Sequence, residues 1–93
     1  MRKRKYSNLF KKALSKLKGK ELDNLLKKRD EVMNCKDLNY YKNLKYDLKQ
    51  YKKVHVNDSY VILFFGDDGT VYFLDYEHHD KVYKKKYDNI KFE

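Results

Sequence analysis

Apolar residues in the first third of the chain recur at the spacing of two amphipathic helices. The first helix should begin after a cap at Ser7 or Asn8, and Gly19 is placed to stop it. Its apolar stripe contains Phe10, Ala13, Leu14 and Leu17. The second stripe starts near Lys20 and contains Leu22, Leu25, Leu26, Arg29, Val32 and Met33. Two short helices separated by one glycine predict a helical hairpin whose stripes cover a sheet.

The pattern changes to that of strands in the second half of the chain. Between residues 34 and 50 the helical period is lost, and the expected anchors of this irregular connection are Leu38, Leu44 and Leu48. Three segments rich in Val, Ile, Tyr and Phe follow at residues 51–56, 59–65 and 70–76. Asn57-Asp58 and a tight turn at residues 67–69 separate them, which predicts an antiparallel meander.

The central strand of this meander is apolar at successive positions. Residues 61–65 carry apolar side chains toward both faces of the sheet. The strand is therefore either covered on both faces, or covered on one face and functional on the other. In the charged tail that follows, the residues suited to docking on the sheet are Val82, Tyr83, Ile90 and Phe92.

Composition limits the chain to one domain and points to a polyanionic partner. A chain of 93 residues predicts a single domain over residues 1–93. With one cysteine and no apolar run long enough to cross a bilayer, the chain is expected to be cytoplasmic and without a membrane partner. Lysine and arginine number 23 against 14 acidic residues, a net charge of +9. This excess indicates either a nucleic-acid partner or a lysine-rich surface that is simply solvated.

Two segments resemble motifs of the RelE/ParE toxin superfamily. The run NLKYDLKQYKKVHV at residues 43–56 resembles the family's entry into the sheet, "pL-x-G-x-L-x-G-Y-R-x-x-x-V". The run FLDYEHHDKVY at residues 73–83 resembles the closing strand followed by "G-H-R-x-x-V-Y". Two helices precede these segments in the family's order, so the resemblance covers nearly the whole chain. It implies an α+β, RelE-like fold with residues 1–6 as an edge strand, a helical hairpin, a three-stranded meander and a short C-terminal helix or tail.

The resemblance also implies a reaction. In the RNA-cleaving branch, the basic concave face opposite the helices holds mRNA in the ribosomal A site. A 2′-hydroxyl attacks the adjacent phosphate, and neither a metal nor another cofactor takes part. The protein has to align the chain, accept one proton, return one to the leaving oxygen and stabilise charge on the phosphate.

The predicted site follows the YafQ branch of the family, which uses histidines where other branches use arginine and lysine. The residues that match its catalytic set are His55, Asp58, His79 and Tyr83. The expected RNA contacts are Lys42, Lys49, Lys52 and Lys53. His78 is assigned a structural role at the exit of the last strand. The alternative for the histidines is a solvent-facing or hydrogen-bonded residue, for Tyr83 a packed ring whose hydroxyl bonds water, and for the lysines a solvated face.

One departure from the family keeps other functions open. Many RNA-cleaving members carry arginine after an aromatic residue on the central strand, whereas Val61 follows Tyr60 here. Either the histidines carry the reaction, or the chain does not cleave RNA. The leading hypothesis is a ribosome-dependent mRNA endonuclease toxin that binds ribosome and mRNA and is neutralised by a RelB-like antitoxin. The alternatives are a ParE-like toxin acting on DNA gyrase and a non-catalytic RNA-binding or ribosome-binding module.

Overall fold

The predicted helices and strands are present in a computed structural model that describes residues 2–67, 69–88 and 90–93. The helices are α1 (Asn8–Lys16) and α2 (Gly19–Asn34). The strands are β1 (Lys3–Tyr6), β2 (Lys52–His55), β3 (Tyr60–Gly66) and β4 (Thr70–His78). Among the described residues they form one sheet in the order β1-β4-β3-β2. The α+β fold class and the meander are therefore confirmed.

The N-terminal edge strand is also confirmed, over Lys3–Tyr6, and it runs parallel to β4. The other two pairings are antiparallel, and a bulge lies at Leu63/Phe64 where β3 meets β4. Met1 lies outside the described residues, as does Asp68 in the predicted tight turn. In the described part of that turn, the Asp67 carboxylate accepts the N–H groups of Gly69 and Thr70 at 2.8 and 2.9 Å.

Ser7 joins the first helix to the sheet. Its buried hydroxyl accepts the N–H of Phe10 at 2.9 Å, as expected of an N-cap, and donates to the carbonyl of Leu74. Gly19 lies between the helices as predicted but opens α2 rather than closing α1, which already ends at Lys16. Its φ of 60° lies in the left-handed region, where glycine avoids the steric cost of a side chain.

The helical hairpin buries one face of the sheet. Its apolar stripes and the sheet residues below them form the first core, which contains Phe10, Leu25, Val32, Leu38, Ile62, Phe64, Val71, Phe73 and Tyr76. Phe10 and Phe73 stack at 5.3 Å between ring centres. The predicted role of the helical stripes as core is thus confirmed for the residues that reach the sheet.

The face opposite the helices is a second core rather than an open basic surface. It contains Leu44, Leu48, Val61, Leu63, Leu74 and Val82. Of the predicted anchors of the irregular connection, Leu44 and Leu48 cover it from one side, whereas Leu38 packs in the first core. Ile90 and Phe92 of the tail pack against the second core. The basic concave face that the resemblance implies is therefore absent from the middle of the sheet in the described part of the chain, and the alternative in which β3 is covered on both faces is confirmed. The physical reason is that β3 carries apolar side chains on both faces. Leaving Val61 and Leu63 in water would lose the favourable free energy of burying them.

The tail ends beside the first strand. After a short 3-10 helix at Val82–Lys84, the chain crosses the second core, and Tyr6 and Glu93 exchange two backbone hydrogen bonds of 2.9 Å. Within the described ranges, no helix is both long and apolar enough to cross a membrane, and the longest, α2, has 16 residues.

Candidate functional site

Three of the four predicted catalytic residues lie at one end of the sheet. His55 ends β2, Asp58 lies in the turn before β3, and His79 follows the last residue of β4. Antiparallel pairing brings these three chain segments to the same edge. The N–H of His79 donates to the carbonyl of Ser59 at 2.8 Å, which fixes the strand exit against the β2–β3 turn.

His79 is exposed and has an orienting partner. Its Nδ1 lies 3.0 Å from a carboxylate oxygen of Asp80, and 44% of its side chain is exposed. A carboxylate beside Nδ1 favours the tautomer with hydrogen on that nitrogen, which leaves Nε2 to exchange a proton. Asp80 was not among the predicted site residues. Its position directly after a candidate histidine was the available signal.

His78 has the contacts of a structural residue. Its Nδ1 accepts the N–H of Asp80 at 3.1 Å, and its ring packs edge-on against Tyr60 at 5.4 Å between ring centres. Its ring also stacks on the ring of His79, with 4.8 Å between ring centres. His78 therefore supports the turn and the neighbouring imidazole.

His55 and Asp58 open toward different sides of the sheet. His55 pairs in register with Val61, which pairs in turn with Glu77, so these three positions share the face opposite the helices. Asp58 instead borders a recess of about 410 Å³ on the helix side, together with Glu21 and Tyr76. Val61 is fully buried between His55 and Glu77. It adds no charge at the position where arginine is usual in the family.

Tyr83 lies in a separate cleft. Its hydroxyl accepts the N–H of Lys45 at 2.9 Å, and its ring meets that of Tyr46 edge-on at 5.9 Å. The cleft, of about 670 Å³, is lined by Tyr46, Asp47, Leu48, Gln50, Tyr51, Tyr83, Lys84, Lys85, Lys86, Tyr87 and Asp88. None of the predicted histidines or Asp58 lines it, so the fold divides the predicted catalytic set between the sheet end and this cleft.

The predicted RNA-contact lysines differ in availability. Lys42 and Lys49 are exposed, and half-buried Lys53 shares the face of His55, two residues along β2. The ammonium group of Lys52 donates to the carbonyl of Tyr41 at 3.2 Å and to Asn43 Oδ1 at 2.8 Å. Lys52 thus ties the irregular connection to the sheet edge.

A buried charge cluster beside the site was missed by sequence reasoning. The Asp75 carboxylate, almost completely buried, accepts hydrogen bonds from Lys85 at 2.8 Å and from the Tyr87 hydroxyl at 2.9 Å. Lys85 also bonds Glu77 at 3.0 Å. Burial and the neighbouring carboxylates raise the pKa of the Tyr87 hydroxyl, so it stays protonated and donates. The available signal was one aspartate within an apolar strand, since such a residue needs a partner.

This cluster should make stability depend on pH. Burial alone would raise the pKa of Glu77, but hydrogen bonds from the N–H of His78 and from Lys85 outweigh it and lower the pKa below 4.5. A lowered carboxyl pKa contributes stability that is present at neutral pH and lost as the pH falls through 4.5 and below. Urea unfolding from pH 7 down to pH 3 should show this loss, and Glu77→Gln should flatten the profile. An unchanged profile in the variant would contradict the role of Glu77.

One trio of residues has the spacing of possible metal ligands. Donor atoms of His78, His79 and Asp80 lie within 4.8 Å of one another at the surface. The proton exchange expected of His79 needs a ring nitrogen without a metal, so an ion held by this trio would compete with it.

A relative is similar to the chain in sequence, and solved structures of low sequence identity are similar to it in fold. No family model matches the chain. A protein of Methanocaldococcus jannaschii that bears the toxin name RelE4 is 43% identical over 75 residues, 78% of this chain and 78% of the relative. The crystal structure of YafQ from Escherichia coli superposes with a TM-score of 0.71 at 19% identity, over 89% of this chain and 99% of YafQ. YafQ in the E. coli DinJ–YafQ complex gives a TM-score of 0.68 at 19% identity, with the same coverage.

Proposed function

The chain belongs to the RelE family of toxins from toxin–antitoxin systems, and from this premise we propose that it is a ribosome-dependent mRNA endonuclease that inhibits translation. The observation that carries the proposal is the end of the sheet, where His55 and His79 are both exposed and His79 is oriented by Asp80. A protein that only binds RNA has no need of an oriented imidazole.

The proposed reaction is an internal transfer within the RNA chain. One histidine accepts the proton of a 2′-hydroxyl as its oxygen attacks the adjacent phosphorus, and the second protonates the departing 5′-oxygen. The products are a 2′,3′-cyclic phosphate and a 5′-hydroxyl, so atoms and charge balance without a metal or another cofactor. Asp58, at the turn beside His79, is assigned to position the RNA chain.

Charge on the phosphate has to be stabilised without an arginine on the central strand. Lys53 is the candidate closest to His55 in β2, because it lies two residues earlier and on the same face of the sheet. We assign the remaining phosphate contacts to Lys42 and Lys49, which are exposed. Lys52 would first have to release Tyr41 and Asn43.

An acidic antitoxin is the proposed protein partner. The E. coli YafQ of similar fold has been solved in complex with DinJ. The net charge of +9 favours a partner with an acidic segment, and binding at the lysines would block access to RNA. Binding to a cognate RelB-like antitoxin also offers a test of folding for variants of the histidines, which lie outside this lysine set.

The deciding experiment is addition of the purified protein to a translating extract. Primer extension should reveal new mRNA ends within codons on ribosomes, and none on the same mRNA without ribosomes. If the protein stops growth but leaves mRNA intact while gyrase loses activity, the ParE-like function replaces this proposal. If neither target is affected, the non-catalytic binding module takes its place.

Affinity for RNA should depend on salt. If Lys42, Lys49 and Lys53 each neutralise one phosphate, raising the salt from about 50 to about 200 mM should lower affinity for a single-stranded RNA about twentyfold. Lys53→Gln should make the dependence less steep. Lys28→Gln is the matched control, because Lys28 lies on α2 and pairs with Glu31 at 3.0 Å. If the affinity for RNA does not change with salt concentration, these lysines do not contact phosphates and are simply solvated.

A further inference from the structure

The cleft that contains Tyr83 has an exposed tyrosine which the proposed reaction does not use. Tyr46 begins a 3-10 helix at Tyr46–Leu48, and 80% of its surface is exposed. It contributes to neither core, in contrast to Leu48 two residues later. Its ring forms one rim of the cleft, and Tyr51 and Tyr87 lie deeper, packed edge-on at 6.0 Å between ring centres.

The backbone of Tyr46 is held in a costly conformation. Its φ is 61°, and among the described residues it is the one position other than glycine with a positive φ. A bulky side chain in the left-handed region crowds the backbone, so such residues persist where the surrounding structure fixes them and they often mark functional sites. The strain at Tyr46 presents an aromatic ring to solvent rather than to a core.

Contacts with neighbouring residues hold the Tyr46 ring in this exposed position. Tyr83 accepts the N–H of Lys45, the residue just before Tyr46, and the two rings touch edge to face. Tyr83 follows Val82, which is buried in the second core. The exposed ring is therefore tied through Tyr83 to the sheet.

The lysines of the cleft alternate between inward and outward positions. Lys85 turns inward to Asp75 and Glu77, while its neighbours Lys84 and Lys86 are exposed at the rim. Asp47 and Asp88 also line the cleft. An acidic peptide would be repelled by these two carboxylates. Single-stranded RNA can instead place an uncharged base in the cleft and its backbone phosphates beside Lys84 and Lys86.

We propose that the cleft is a nucleobase-binding subsite in which a base of single-stranded RNA stacks on Tyr46 while Lys84 and Lys86 contact its flanking phosphates. The subsite deepens the proposed function, since it would hold another part of the same mRNA, and in that respect it rests on the proposed function. Tyr46 is a binding residue in this scheme and takes no part in proton transfer.

The test uses a single-stranded RNA octamer that carries 2-aminopurine at its centre, titrated with the full chain. The fluorescence of this base is quenched when it stacks on an aromatic ring. Tyr46→Asn should weaken binding about 5- to 150-fold, the range for loss of one stacked base. It should not lower the thermal stability, because asparagine tolerates a positive φ better than tyrosine. Tyr46→Phe keeps the ring and should keep both quenching and affinity.

Tyr40→Asn is the matched control. Tyr40 is also 80% exposed but lies outside the cleft, with its ring against Tyr41. Its replacement should change RNA affinity by less than about twofold, since no base stacks there. The proposal is overturned if the parental protein does not quench the probe, if Tyr46→Asn binds like the parent, or if both asparagine variants lose affinity equally.

Cleavage measured on ribosomes separates this subsite from the proposed activity. A parental protein that cleaves mRNA while Tyr46→Asn leaves RNA affinity unchanged would remove the subsite and keep the endonuclease. A parental protein that stacks the probe through Tyr46 but cleaves nothing would keep the subsite and remove the endonuclease.

Discussion

His79→Ala should lower the rate of mRNA cleavage on translating ribosomes by about two to four orders of magnitude, the usual contribution of a group that transfers a proton in the transition state. His79 is exposed, and its Nδ1 is oriented by Asp80. We therefore expect alanine at this position to remove the group that exchanges a proton with the RNA. Affinity for ribosomes should barely change, because the imidazole contributes little to ground-state binding. Single-turnover primer extension measures the rate, and sedimentation with ribosomes measures the affinity.

His55→Ala should produce a similar loss, whereas His78→Ala is the matched control. His78 packs against Tyr60 and supports the turn, so its removal should cost little in rate. Every variant should still bind the antitoxin, which shows that it is folded. If His79→Ala and His55→Ala both cleave at the parental rate, the histidine mechanism is wrong.

Asp75→Ala should lower the free energy of unfolding by about 2–4 kcal/mol, because it removes the acceptor of a buried, charged hydrogen-bond cluster. Without Asp75, the hydroxyl of Tyr87 loses its partner and Lys85 keeps Glu77 alone. Urea unfolding followed by circular dichroism measures the change. The tail should also loosen from the sheet, which faster amide exchange of residues 82–88 would reveal.

The matched control removes another ion pair between the tail and the body of the protein. Lys11 pairs with Glu93, whose side chain is 78% exposed. Lys11→Ala should change the free energy of unfolding by less than about 1 kcal/mol, because exposed pairs are screened by water and salt. Equal effects of Asp75→Ala and Lys11→Ala would show that burial does not strengthen the Asp75 cluster.

The spacing of apolar residues along the chain was sufficient to predict the helices and the strands of the meander. The stripe from Phe10 to Leu17 predicted α1 because helical spacing places these residues on one face. The predicted strands at 51–56, 59–65 and 70–76 each agree with β2, β3 and β4 within two residues at either end. The strand order within the meander followed from its short turns, because strands joined by a short turn usually lie next to each other and pair.

The candidate site was predicted less completely. The resemblance pointed to His55 and His79, and the meander brings them to one end of the sheet. It did not indicate that Asp80 would orient His79, that Lys52 would bond Tyr41, or that Tyr83 would lie in another cleft. These relations depend on side-chain direction and on contacts between distant segments, which a single sequence does not specify.

The pattern of residues along the chain was enough to predict the helical hairpin, the meander and the apolar character of β3 on both faces, and the composition gave the basic charge. What covers the second face became clear only from the folded chain. Leu44 and Leu48 close it from one side, the tail closes it from the other, and Lys85 reaches back to Asp75 within this layer. Periodicity shows which faces of a segment are apolar and have to be buried. It does not show which other segment packs on them, because that depends on contacts between residues far apart in the chain.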